Sequence, residues 1–252
     1  MLTRRRAEPD DGWTSAVSSG FAMAGFLALV FVAFTLLAMG PFVRYDAYFN
    51  AAPPPQEWVP VLHVLDRVGQ RAIALPILGV VLYHAYRRTR SWRPVLLSVV
   101  SVFALNLLVL ILKVILGRGS PVTADPSFFQ GGIGAYPSGH SSNIVLYYGL
   151  ATYVLSRYLH ISRRTQALLW GGVVFLSVTM VTTSLTLNWH WFADLVAGLI
   201  VGGIVLELTV TLDRMVPAHV CAVGGLNGLK SMFDDVLRLF RVRRPQGPTS
   251  SV

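Results

Sequence analysis

The feature that most limits this chain is a series of apolar runs, each long enough to cross a bilayer, with the charges gathered between them. A helix needs roughly 20 apolar residues to span about 30 Å of hydrocarbon. The run over 19–43 holds no charge, and the run over 94–117 holds only Lys113. Composition agrees: 54% of the residues are hydrophobic and 13% charged, against about 25% charged in soluble domains. A soluble domain of this size needs a polar surface that this chain lacks the residues to make. The expected fold is therefore all-α, a polytopic membrane bundle of about six transmembrane helices, over 19–43, 71–86, 94–117, 138–158, 167–187 and 191–212.

The remaining segments read as connections. Residues 1–18 form an N-terminal tail, flexible over its first fifteen residues. Pro53, Pro54 and Pro55 open a linker, and a short interfacial helix is expected within 56–70. A Gly/Pro/Ser-rich loop covers 118–139. Residues 213–252 form a basic C-terminal tail in which 226–240 reads as an amphipathic membrane-surface helix. The single cysteine, Cys221, has no partner for an internal disulfide. The first apolar run is too long for a cleavable signal peptide and is followed by no clear small-residue cleavage site.

Charge sets the expected orientation. With six spans, the side holding both tails and the loops at 87–93 and 157–166 has sixteen Lys and Arg, and the other side has five. Positive residues favour the cytoplasm, so both termini are expected inside, in the cell membrane, with the loops at 44–70, 118–139 and 187–190 outside. The net charge of +9 would raise nucleic acid as a partner of a soluble protein. Here it lies in short loops and tails beside apolar runs, so the expected partners are the bilayer and its anionic headgroups, and no nucleic acid.

This topology brings three distant stretches to the outer end of the bundle: Lys113 to Pro121, Pro137 to His140 (PSGH), and His190 to Asp194 (HWFAD). The i, i+4 spacing of His190 and Asp194 puts them on one helix face. A carboxylate on one imidazole nitrogen fixes the tautomer and makes the other nitrogen a better nucleophile or base. A polar pair bonded between helices is the plainer role, but ionisable groups at membrane depth are functional candidates. Ser138 and Gly139 open a span, where free amides and the helix dipole favour an anion, and His140 beside them suits a general acid. An ordinary N-cap by Ser138 is the alternative. Lys113 and Arg118 are the basic residues at the end of the third span. They suit neutralising phosphate, Arg118 with a planar fork and Lys113 as a point charge, or else snorkelling. No Cys pair or HExxH motif is present, and no metal site is expected.

At these residues the sequence resembles the type 2 phosphatidic acid phosphatase superfamily, which also includes vanadium haloperoxidases. The resemblance covers about 70–210. Lys113 and Pro121 match the family's first motif, residues 137–140 match PSGH in full, and His190 and Asp194 match the third. The resemblance implies that His190 attacks phosphorus to form a phosphohistidine, that Asp194 orients it, and that His140 protonates the leaving alcohol and later activates water. It implies that Lys113 and the Ser138 and Gly139 amides hold a lipid phosphate or pyrophosphate, with no metal or other cofactor. The family's two phosphate-binding arginines fall at Ser120 and Ser184 here, with Arg118 positioned to replace one. Sphingomyelin and inositol phosphorylceramide synthases of the same superfamily also depart from the arginine pattern while keeping the His–His–Asp set. Transfer of a lipid phospho-headgroup is therefore the alternative activity, and a non-catalytic lipid-binding or transport protein on the same scaffold is a further alternative.

Overall fold

The structure is a computed structural model that describes residues 11–49 and 54–215. The expected surface helix over 226–240, and Cys221, lie outside the described residues. Among these residues the chain is helical with no strand: α1 (Asp11–Met39), α2 (Val43–Phe49), α3 (Val59–Arg67), α4 (Arg71–Thr89), α5 (Arg93–Leu116), α6 (Gly139–Asn143), α7 (Gly149–Tyr158), α8 (Arg163–Thr186) and α9 (Phe192–Met215). A π-helical segment, Ile144–Tyr148, joins α6 to α7. A 3₁₀ turn, Pro121–Thr123, lies in the loop after α5.

Five helical stretches are long and apolar enough to cross a membrane. The expected span over 138–158 is helical, as the continuous α6–π–α7 run, but it is not among these five. The α1 helix begins at Asp11, eight residues before the expected start of the first span, so the last part of the predicted tail is helical. A short helix is present within 56–70 as α3, and it falls in one apolar stretch with α4, Val59–Thr89.

Helix ends follow from local chemistry. Arg93–Pro94 opens α5, where proline's fixed φ suits a first turn and its missing N–H costs nothing. Gly117 closes it with φ +43°, and its amide donates to the Lys113 carbonyl. Ser162 caps α8 by accepting from the Thr165 amide at 3.1 Å.

The bundle is organised around α9, 56% of whose best apolar window is buried, against 17–28% for the other four spans. It packs against α1, α5, α6 and α8. Gly198 and Gly202, four apart on α9, explain the closeness of α6. A Cβ at Gly198 would come within 2.4 Å of the Ser138 carbonyl oxygen, and one at Gly202 within 2.7 Å of the Ser142 carbonyl oxygen. Small residues at this spacing let membrane helices approach backbone to backbone. The outer helices leave large apolar side chains uncovered, among them Phe26, Leu29, Phe103, Ile111 and Phe175. In a bundle solvated by lipid these are the expected outward-facing residues.

Candidate active site

The three stretches converge at one end of the bundle. His190 lies in the turn between α8 and α9 and not on the helix, so the expectation that it shares a helix face with Asp194 is corrected. The two still meet across the first turn of α9: with its proton on Nδ1, His190 donates to Asp194 Oδ2 at 3.3 Å. That oxygen also accepts from the Trp191 amide at 3.0 Å. Trp191 directly precedes α9, so Asp194 is its third helical residue, and the bond satisfies an amide that the helix start leaves free. Asp194 is therefore fixed by its own helix before it orients any histidine.

The second oxygen of Asp194 accepts from Arg118 Nη1 at 2.7 Å, and Arg118 Nη2 donates to Asp46 Oδ2 at 2.5 Å. Arg118 Nε donates to the Pro126 carbonyl at 3.0 Å. The guanidinium is 1% exposed and lies over the Phe128 ring at 4.8 Å. The sequence makes Arg118 a candidate phosphate clamp; the structure instead spends its fork on two buried carboxylates and a carbonyl. The physical reason is at the start of α9, where Asp46 Oδ1 also accepts from the Ala193 amide at 2.9 Å. Two carboxylates gathered on one helix terminus, with burial raising the Asp46 carboxyl above its ordinary range, need a cation between them. A bidentate guanidinium supplies it. Asp46 gives no distinct signal in the sequence, since a carboxylate in an inter-span loop looks like surface.

Ser138 also differs from expectation. Its amide donates to the Asp194 carbonyl at 2.8 Å, and its hydroxyl caps α6 by accepting from the Ser141 amide at 3.4 Å. It is fully buried. Ser138 thus ties the PSGH loop to α9 and leaves no free donor of its own amide for an anion. Gly139 does face open space: a Cβ built there would meet nothing within 4 Å. Lys113, in the last turn of α5, donates to the carbonyls of Gly134 and Ala135 at 2.8 and 3.0 Å. An ammonium has three donors, so one remains.

A cavity of about 480 Å³ opens among Lys113, Gly139, His140, His190, Gln70 and Arg71. Four of these six are candidates from the sequence. Gln70 and Arg71, at the start of α4, belong to no motif and carry no signal of their own. The two positions that would carry the family's arginines do not line this cavity. Ser184 is fully buried, its hydroxyl 3.9 Å from the Met180 sulfur, and Ser120 precedes the 3₁₀ turn.

Fold and site together define an all-helical membrane protein with a His–Asp pair and a second histidine around a cationic cavity at one end of the bundle. Residues 94–216 match the model of the PAP2 superfamily. That match takes in all three stretches that meet at the site. The fold is similar to that of a solved structure, described as the first transmembrane PAP2 type phosphatidylglycerolphosphate phosphatase from Bacillus subtilis. The TM-score is 0.68, with 18% identity, over 78% of this chain and 98% of that one. No curated protein matches the chain significantly.

Proposed function

We propose that this protein is an integral membrane lipid phosphatase that hydrolyses a lipid phosphate or pyrophosphate through a phosphohistidine. The observation that carries this reading is that His190 and His140 face one cavity together with Lys113 and Gly139. With Nδ1 held by Asp194, His190 presents Nε2 as the nucleophile. His140 protonates the leaving alkoxide as the P–O bond breaks, then takes a proton from the water that attacks the phosphohistidine. Lys113 and Arg71 supply positive charge to phosphate oxygens, and the Gly139 backbone allows close approach. In place of a phosphate contact, Arg118 holds Asp194, and through it the His190 ring.

The test is a phosphate-release screen on detergent-purified protein with phosphatidate, isoprenyl pyrophosphate and phosphatidylglycerol phosphate. A parallel arm follows headgroup transfer to lipid alcohols. Release from one of the three is the expected result, and transfer without release would overturn the hydrolase reading.

The charge asymmetry supports a site on the outer face, with both termini cytoplasmic. In a Cys221→Ser background, cysteine placed at Ser127 should label from outside and cysteine at Ser162 from inside. The reverse pattern would move the site to the cytoplasmic face.

A further inference from the structure

Asp66, in the last turn of α3, is fully buried. Neither of its carboxylate oxygens accepts a hydrogen bond from any described residue. A buried carboxylate without donors is costly unless a charge answers it. Its one ion-pair contact among the described residues is His140 Nε2, 3.8 Å from Asp66 Oδ2.

The surroundings hold this pair together. The α3–α4 corner lies directly on the histidine: a Cβ at Gly69 would come within 3.2 Å of the His140 Cβ and 2.6 Å of the Met180 methyl carbon. Two side chains, one just before the π segment and one at its last residue, grip the corner's carbonyls. Asn143 Nδ2 donates to the Gly69 carbonyl at 3.4 Å, and the Tyr148 hydroxyl donates to the Val68 carbonyl at 3.0 Å. The amide of Gly69 in turn donates to the Asp66 carbonyl at 3.1 Å. The helical run that carries His140 therefore also anchors the turn that follows Asp66, and the π segment sits where both contacts are made. Such insertions are frequent at functional sites.

We propose that Asp66 is a positioning residue that forms a second His–Asp pair with His140, fixing which imidazole nitrogen faces the substrate and stabilising the ring when it carries the proton of the acid. The inference rests on the phosphatase reading for its catalytic meaning, while the pair itself is a property of the fold. With Nε2 turned to Asp66, Nδ1 is the nitrogen left for substrate. The imidazolium gives its Nδ1 proton to the leaving alkoxide as the P–O bond breaks and the bond from phosphorus to His190 forms. Neutral His140 keeps its Nε2 proton against Asp66, then recovers an Nδ1 proton from the attacking water. The charged and titratable groups facing His140 are Asp66 from α3, Arg71 from α4, Lys113 from α5 and His190 from the turn before α9. Asp66 is the one carboxylate among them, set against Arg71, Lys113 and a second histidine. The two histidines thereby receive separate carboxylates, Asp194 for the nucleophile and Asp66 for the acid.

The experiment is a histidine-ring NMR titration of the full-length protein in detergent, with the His140 signal assigned by its loss in His140→Gln. In Asp66→Asn the His140 midpoint should fall by about one pH unit or more, because an opposite charge at this range favours the charged form. An unchanged midpoint in folded Asp66→Asn overturns the proposal. If Asp66→Asn does not fold, the Asp66 carboxyl carbon is followed instead in wild type and in His140→Gln, since coupling between two groups is reciprocal. Loss of the His140 charge must then raise the Asp66 midpoint, and no change overturns the pairing. Where activity is present, the alkaline limb of kcat in Asp66→Asn should move to lower pH by the same amount, with KM little changed. A chain that releases no phosphate from any substrate would fail the phosphatase reading, while the titration would still decide whether the two side chains are paired.

Discussion

Helix α9 carries a buried aspartate near each end, and each is bound by an arginine from α5 or the loop just after it. At the site end Asp194 meets Arg118, and at the far end Asp213 meets Arg93, whose Nε donates to Oδ1 at 2.6 Å. The difference lies in what takes the remaining lone pairs. Asp213 accepts from the hydroxyls of Tyr153 and Tyr158 at 2.6 and 2.7 Å, and an Nη2 donor of Arg93 reaches the Asp213 carbonyl. Its partners among the described residues are two tyrosines and an arginine. Asp194 gives its other oxygen to the Trp191 amide and to His190, which lines a cavity. The far cluster joins helix ends through tyrosines and an arginine, and the near one passes its orientation to a ring that faces open space. A buried ion pair is thus no sign of chemistry in itself; the histidine and the cavity beyond it make the distinction.

The largest expected effect separates the ends outright. His190→Ala should reduce phosphate release at least about a thousandfold, as loss of a nucleophile does, while size-exclusion profile and melting temperature stay near wild type. Normal turnover in this variant would remove the phosphohistidine.

Next come the two arginines. Arg118→Ala and Arg93→Ala should each destabilise by about 3–5 kcal/mol, since each leaves buried carboxylate charge unanswered. Thermal unfolding in detergent reads this. The protein that remains folded should differ sharply: Arg118→Ala loses turnover by about a hundredfold through misplacement of the nucleophile, and Arg93→Ala keeps most of it. Equal loss of specific activity in both would erase the contrast between the two clusters.

A finer cut is Arg118→Lys, which keeps the charge but cannot reach Asp46, Asp194 and the Pro126 carbonyl at once. A destabilisation of about 1–3 kcal/mol is expected for the partners left unsatisfied, with turnover between wild type and Arg118→Ala. Full activity and stability would mean that charge alone suffices at this position. The smallest effect belongs to the far end: Tyr158→Phe should cost about 1 kcal/mol for one lost hydrogen bond, with no change in kcat.

Much of this protein is legible in its sequence, because lipid imposes a strong rule. Every span must be apolar and internally hydrogen-bonded, so uncharged runs locate the helices directly. The same rule makes charged residues near the ends of those runs conspicuous, which is why Lys113, His140, His190 and Asp194 stand out, together with the PSGH loop that brings Gly139 to the cavity. Asp66 leaves a faint signal, a carboxylate four residues after Leu62 in a short helix that is apolar apart from it, His63 and Arg67. Asp46 leaves none.

The sequence by itself determined the class of fold and which residues gather at one end of the bundle; it expects six crossings, where five helices are long and apolar enough to make one. Tertiary structure alone decided where each donor is spent. Gly117 and Gly119 give the backbone around Arg118 freedom but no direction, so local chemistry allowed both a phosphate clamp and a snorkelling side chain. The direction came from the start of α9, where free amides draw in Asp46 and Asp194 and those carboxylates draw in the guanidinium. The partners of Ser138 and Asp66 were settled in the same way, by helices packed closely enough at Gly69, Gly198 and Gly202 that polar groups far apart in the chain take the place of water for one another.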